Sequence, residues 1–151
     1  EHSQIKKSPN HFCSKSCAAT YNNTHKKKGT RVSKLELWLQ QVLPNLYPDL
    51  TFQFNHKELI GSELDIYIPQ LKIAVELNGI FHYEPIFGSD KLNAIRTNDD
   101  RKILACAEHH VSLCVIDVSQ LTYFKEQKAK KYLDIIVRII NEKMSTTRQD
   151  L

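Results

Sequence analysis

Between residues 63 and 82 the chain alternates apolar and polar positions twice. Leu64, Ile66 and Ile68 alternate with Glu63, Asp65 and Tyr67, and beyond Pro69 a second alternation runs through Ile73, Val75 and Leu77. Period two is the strand period, so the stretch predicts a β-hairpin. A turn centred on Gln70 and Leu71 sets Ile66 opposite Val75 and Leu64 opposite Leu77 on one apolar face. The same register sets Asp65 opposite Glu76 on the other face.

Around the hairpin the pattern changes period. Leu35, Leu39, Val42, Leu43 and Leu46 keep helical spacing, with Trp38 beside them. Ser33 through Glu36 matches a capping box at the start of that helix, and Pro44 with Pro48 brings it to its end. Residues 51–55 read as a first strand and residues 56–61 as a loop. Past the hairpin, Asn78-Gly79 turns the chain, and residues 85–97 read as a loop or irregular helix. Asn98 is the expected N-cap of a helix that opens with Asp99 and Asp100. Residues 111–117 form a nearly continuous apolar run suited to a buried strand. Residues 124–144 predict a long helix with Tyr132, Ile135, Ile136, Ile139 and Ile140 inward, and residues 145–151 a frayed tail. Strands alternating with helices give an α/β fold, a central mixed sheet of about four strands flanked by helices.

Composition adds a basic arm and removes some classes. The chain of 151 residues carries 41% apolar residues and only nine glycines and prolines, enough for a core in one ordinary domain. The formal net charge of +4 is uneven: Lys6, Lys7, Lys15, Lys26, Lys27, Lys28, Arg31 and Lys34 crowd the first quarter. Such an arm suits an anionic partner, nucleic acid first, or is a solvated tail. No stretch has the length of a membrane span and no signal peptide opens the chain, which gives the expectation of a soluble, intracellular protein. Glu1 in place of an initiator methionine reads as the start of a fragment. The four cysteines show no disulfide framework, and Cys106 and Cys114 sit in apolar surroundings as core residues.

Candidate chemistry gathers on the hairpin. Carboxylates of directly opposed residues stand roughly 5 Å apart, where repulsion is about 3 kcal/mol at an effective dielectric of about 20. A hard divalent cation, Mg²⁺ or Mn²⁺, bridging Asp65 and Glu76 relieves it. Exposure to water, or pairing with Lys57, Lys72 or Arg101, relieves it as well. His82, just past the strand bearing Glu76, has the intrinsic pKa of a general acid or base, although a lone histidine is also a common structural residue. Glu36 is already explained as a capping residue, and Asp99 as an acid complementing a helix dipole. Cys13 and Cys17 have the spacing to place two thiolates on one Zn²⁺ at the start of a helix. They supply half a site, and two reduced cysteines without metal is the equal alternative.

Taken in order, a helix with Glu36, a hairpin with Asp65 and Glu76, His82, and Asp99 within Asn98-Asp99-Asp100-Arg101-Lys102 resemble the Vsr-like branch of the restriction-endonuclease-like (PD-(D/E)XK) superfamily. More narrowly they resemble the phage homing endonucleases with an EDxHD motif. The resemblance spans residues 33–118, and the segment around Cys13 and Cys17 resembles the second half of a zinc ribbon. It implies a nuclease domain over residues 33–144, preceded by a partial zinc ribbon and basic linker over residues 1–32. Glu36, Asp65, His82 and Asp99 would be catalytic. Asp65, Glu76 and Asp99 would hold metal, with Lys26, Lys27, Lys28, Arg31, Arg101 and Lys102 on phosphates. Asn78 stands where lysine-bearing relatives keep a catalytic lysine, which leaves proton handling to His82. The implied partner is double-stranded DNA, in the cytoplasm of a bacterial host, with a homodimer or larger assembly if both strands are cut. A mismatch-nicking enzyme with Phe81 or Phe87 as wedges, and an inactive DNA-binding module, are the alternatives.

Overall fold

The computed structural model describes residues 13–24 and 32–149. The chain divides into two units, Glu1–Val32 and Ser33–Leu151. In the first, the described residues form helix α1, Lys15–Thr24. The expected contacts Lys26, Lys27, Lys28 and Arg31 lie outside the described residues.

The second unit is α/β, with a four-stranded mixed sheet. Helix α2, Lys34–Leu46, begins at the capping box: Glu36 N donates to Ser33 Oγ at 3.1 Å, and Ser33 N to Glu36 Oε1 at 3.3 Å. Two of the four orphan N–H groups of the first turn are thereby matched to side chains. Pro44 lies inside this helix and does not end it. The end comes at Tyr47, whose N–H reaches Leu43 O.

Strand β1, Gln53–His56, pairs antiparallel with β2, Leu64–Ile68, and β2 antiparallel with β3, Ile73–Asn78. The pairs Ile66↔Val75, Tyr67↔Ala74 and Ile68↔Ile73 are in the register that alternation predicted. A single 3-10 turn, Pro69–Leu71, closes the hairpin, with Lys72 left-handed at φ 49°. Strand β4, Ser112–Asp117, lies parallel to β3, from Ile73↔Ser112 to Asn78↔Asp117, so the spatial order is β1-β2-β3-β4. It is an edge strand, not the buried strand its apolar run suggested, because it pairs with β3 alone. Val115 is 47% exposed and Ile116 is the strand's one fully buried residue.

The parallel connection is made by helix α3, Ser89–Glu108, the largest departure from the sequence reading. It starts nine residues before Asn98, at a Gly88 whose φ of 94° favours glycine. Asn98, Asp99 and Asp100 are therefore mid-helix, where neither capping nor the end of a dipole accounts for an acid. Helix α4 runs Glu126–Gln149, so residues 145–149 continue the helix that was expected to fray.

Two clusters of side chains sandwich the sheet. Leu35, Leu39 and Leu43 of α2 and Tyr132, Ile136 and Ile140 of α4 cover Ile66, Ile68, Ile73 and Val75. Three turns of each helix thus supply one apolar stripe. Leu46 and Ile135, expected inward, are 51% and 42% exposed at the rims of those stripes. On the other face Tyr67, Ala74, Cys106 and Val111 meet beneath α3. Leu64 joins this second cluster and not Ile66, so the strict alternation fails at the end of β2 that carries Asp65. Cys106 is buried and Cys114 partly so, both as free thiols.

Candidate functional site

At the Leu64 end of the hairpin the ladder between β2 and β3 is continued by side chains. Leu77 N donates to Asp65 Oδ2 at 2.7 Å, and Asp65 N donates to Glu76 Oε1 at 3.3 Å. Each carboxylate reaches across to the backbone of the opposite strand. Two carboxylates are thereby fixed side by side one residue beyond the pair Ile66↔Val75.

The cost of that arrangement appears in their titration. Burial first, and the charge of Glu76 second, push Asp65 up to about 7, with a further contribution from Glu36. Burial likewise raises Glu76, against the opposing pull of Lys102. Lys102 Nζ donates to Glu76 Oε2 at 2.7 Å, with the two side chains 19% and 7% exposed. Glu76 is thus the compensated member of the pair and Asp65 the uncompensated one. The only hydrogen bond to the Asp65 carboxylate among the described residues engages Oδ2, which leaves Oδ1 as an open hard donor.

One turn up α3, Asp99 Oδ2 stands 2.8 Å from His82 Nδ1. His82 closes the 3-10 turn Ile80–His82 that follows β3, so the sheet end and the helix are joined through an imidazole and a carboxylate. With Nδ1–H donating to Asp99, Nε2 is the free basic nitrogen of the ring. Both side chains are about a quarter exposed. Tyr83, beside them, has its phenol pushed up by burial and then by the Asp117 and Asp99 charges.

The structure therefore brings together Asp65, Glu76, Lys102, Asp99 and His82 at one end of the hairpin and the middle of α3. A shallow cleft there is lined by Glu76, Asn78, Asp99, Lys102, Leu113 and Val115. Glu36 serves the α2 cap, and its charge also acts on Asp65. Lys102, read from the sequence as a phosphate contact, has its ammonium on Glu76, whereas Arg101 on the next position is exposed. Lys57, a candidate partner of the acidic pair, instead bonds Glu63 at 3.0 Å.

The link from Lys102 to Glu76 is the part that sequence reading missed. The signal was present as the stripe Leu92, Ile95, Asp99, Lys102 and Cys106, spaced by three and four along a helix. Placing the helix start at Asn98 cut that stripe in two.

Among the described residues no group of three or more His, Cys, Asp or Glu side chains converges as a metal cage. Asp65 and Glu76 supply hard oxygens, while Asp99 is turned to His82. That donor set fits Mg²⁺, which binds through one or two carboxylates and completes its shell with water and substrate phosphate. In the first unit Cys13 Sγ and Cys17 Sγ are 2.8 Å apart and exposed. The Cys17 thiol is lowered by its hydrogen bonds to Cys13 and Ser14. Thiols so placed fit two positions of a tetrahedral zinc site, whose other two ligands would come from beyond the described residues.

No protein-family model matches the sequence, and no curated protein matches it. Among the described residues no helix is long and apolar enough to cross a membrane.

Proposed function

We propose that the chain is a metal-dependent DNA endonuclease that hydrolyses phosphodiester bonds, of the Vsr-like, EDxHD homing type that its motif order resembles. The observation that carries this reading is the juxtaposition of an uncompensated, half-buried Asp65 with the buried Glu76, one helix turn from a histidine whose Nδ1 is held by Asp99. Phosphoryl hydrolysis needs a charge sink for the phosphate and a base for water, and these residues offer both.

A divalent cation held by Asp65 and Glu76 would supply charge neutralisation at the scissile phosphate. Lys102 holds Glu76 ionised and fixes its orientation. Asp99 fixes the tautomer and the orientation of His82. Nε2 of His82 takes the proton of an attacking water, or returns it to the leaving oxygen. Glu36, through its charge, keeps the field around Asp65 negative and so favours a cation there. Arg101 and the basic residues 26–28 and 31 contact phosphates and position the duplex without reading its sequence.

The deciding test is cleavage of a randomised duplex library with Mg²⁺, beside Asp65→Ala and an EDTA control, with product ends sequenced. Cuts that need metal and fall by about a thousandfold or more in Asp65→Ala support the reading, since loss of metal-borne charge stabilisation removes several kcal/mol. Undiminished cutting by Asp65→Ala would sink it.

One observation favours a mismatch-nicking variant of the same chemistry. Phe81 and Phe87 stack at 5.0 Å between ring centroids, and both are exposed beside His82. Ends from one strand only, enriched at mispairs, would select that variant.

A further inference from the structure

Beyond the cleft lies a second feature that the proposed chemistry does not use. Strand β4 ends at Asp117 beside Asn78, and Val118 N donates back to Asn78 O at 2.9 Å. From this carboxyl end of the parallel pair, residues 118–125 lead directly to the start of α4. There Lys125, Lys128, Lys130 and Lys131 fall within seven residues, all exposed.

Their placement runs against helix stability. The N-terminal end of a helix carries partial positive charge and is stabilised by acids, yet α4 concentrates its lysines in its first two turns, with Glu126 the acid of the first turn. Two of the ammonium groups also converge on one ring. Lys128 Nζ is 4.2 Å and Lys125 Nζ 5.5 Å from the centroid of Tyr123, and Lys128 Nζ donates to Tyr123 Oη at 3.1 Å. Tyr123 is itself 53% exposed, so the ring is held outward by cations and not packed in the core. Among the described residues none of these lysines is within salt-bridge distance of a carboxylate. Converging like charges on an exposed helix end gain when an anion lies between them.

The cluster also adjoins the cleft. Asp117 acts electrostatically on Tyr83, as does Asp99, and Lys131 acts on Asp117. The charge of Lys131 is therefore felt at Asp117, which pairs with Asn78 of the cleft at the carboxyl end of the parallel strands, the edge at which open α/β sheets bind their ligands.

We infer that Tyr123, Lys125, Lys128 and Lys131 form a second contact surface for the phosphate backbone of duplex DNA, displaced along the duplex from the site of cutting. The inference rests on the DNA reading above and assigns it a surface on the opposite helical layer from α3. Lysines at i, i+3 and i+6 follow one side of the helix, and the first two meet over the ring of Tyr123. This surface carries affinity and salt dependence, not base specificity.

The test is a set of anisotropy titrations of a labelled random duplex of about 30 base pairs in EDTA, between about 50 and 200 mM salt. The full chain is compared with Lys128→Ala/Lys131→Ala and with Arg138→Ala/Lys143→Ala, which removes the same charge farther along α4. Circular dichroism confirms that each variant is folded. The expected result for Lys128→Ala/Lys131→Ala is a log-log salt slope shallower by nearly 2, with affinity at 0.1 M salt lower by about ten- to a hundredfold. The Arg138/Lys143 control keeps the slope of the unaltered chain.

Binding with an unchanged slope in Lys128→Ala/Lys131→Ala overturns the inference and leaves the endonuclease reading standing. A slope lowered equally by both double variants also overturns it, because net charge and not this surface is then responsible. Absence of duplex binding by the unaltered chain overturns the inference and the DNA reading together. A selective loss of slope in a protein that makes no cuts supports the contact surface and sinks only the nuclease reading.

Discussion

The site contains two acidic pairings that differ in what surrounds them. Asp65 and Glu76 are wedged between β2 and β3, Glu76 accepting from Asp65 N and Asp65 from Leu77 N, with a single lysine set against two charges. His82 and Asp99 bridge a turn and a helix at the surface, about a quarter exposed and matched one to one. Burial makes the first pairing costly to ionise and rigid, which suits the binding of a cation. Solvent access lets the second exchange protons with water, which suits acid and base work. On the proposed reading the difference would divide binding from proton transfer within a span of one helical turn.

The sharpest way to break this division is to remove the imidazole. His82→Ala should lower the rate of metal-dependent cleavage by about 10²- to 10⁴-fold, the range for a positioned general acid or base. Metal binding and thermal stability should hardly change, because His82 is not part of the core. Asp99→Asn should lose less, since the ring stays in place while its tautomer is no longer held. If His82→Ala cut at the normal rate, or unfolded, the assignment of proton handling to the exposed pairing would be wrong.

Next comes the lysine. Lys102→Ala leaves Glu76 buried without its cation, and breaking such pairs costs about 3–5 kcal/mol when both members are fully buried. With Lys102 19% exposed, a loss of about 2–4 kcal/mol is expected by denaturant titration at pH 8. Because burial raises the Glu76 carboxyl, the loss should shrink as pH falls and Glu76 takes up a proton, and it should also shrink in Lys102→Met/Glu76→Gln. A penalty that persists in the double variant would show that Lys102 matters for its packing and not for its charge.

Much of this was legible beforehand, and the residues show why. Register followed from Ile66, Ile68, Ile73 and Val75, because one buried face leaves a strand no freedom to slip. The Ser33 to Glu36 box was legible because both of its partners lie within one turn. The partners of the acids were not, since pairing of Glu76 with Lys102 and of His82 with Asp99 depends on a crossover 26 and 17 residues long. Local capping chemistry at Asn98-Asp99-Asp100 imitated a helix start, while the real one, at Gly88-Ser89, has no side-chain cap to announce it. An apolar run at residues 111–117 likewise cannot tell an edge strand from a central one, because its neighbours are fixed by topology.

The third prediction concerns Asp65 alone. Its carboxyl is raised to about 7 in the fold from about 3.9 in an unfolded chain. The folded state therefore holds the proton more tightly. Its contribution is fully present below about pH 4 and is lost as pH rises through 7. Each unit is about 1.4 kcal/mol, and sharing of the proton with Glu76 reduces the sum to roughly 2–3 kcal/mol. Asp65→Asn should thus match the unaltered chain at pH 4 and exceed its stability at pH 8 by that amount, while failing to cut. Equal stability of the two at pH 8 would mean that Asp65 is not strained by burial.

The smallest effect ties the strained carboxylate to its proposed ligand. A cation that binds ionised Asp65 must displace the proton, so Mg²⁺ and H⁺ compete for the same oxygen. At ten times its Kd, Mg²⁺ adds about 1.4 kcal/mol to stability, which raises Tm by roughly 3–5 °C in a unit of this size. Two pH units below a carboxyl at about 7, about one molecule in a hundred is ionised, so apparent affinity falls about a hundredfold and the shift vanishes. Thermal melts with and without Mg²⁺ at pH 8 and pH 5 should then differ at the higher pH only, and Asp65→Asn should show no Mg²⁺ shift at either. His82→Ala should keep the shift in full, since the imidazole lies with the proton-handling pair. A Mg²⁺ shift that survives in Asp65→Asn, or that disappears in His82→Ala, would place the cation at the exposed pairing and reverse the roles assigned to the two.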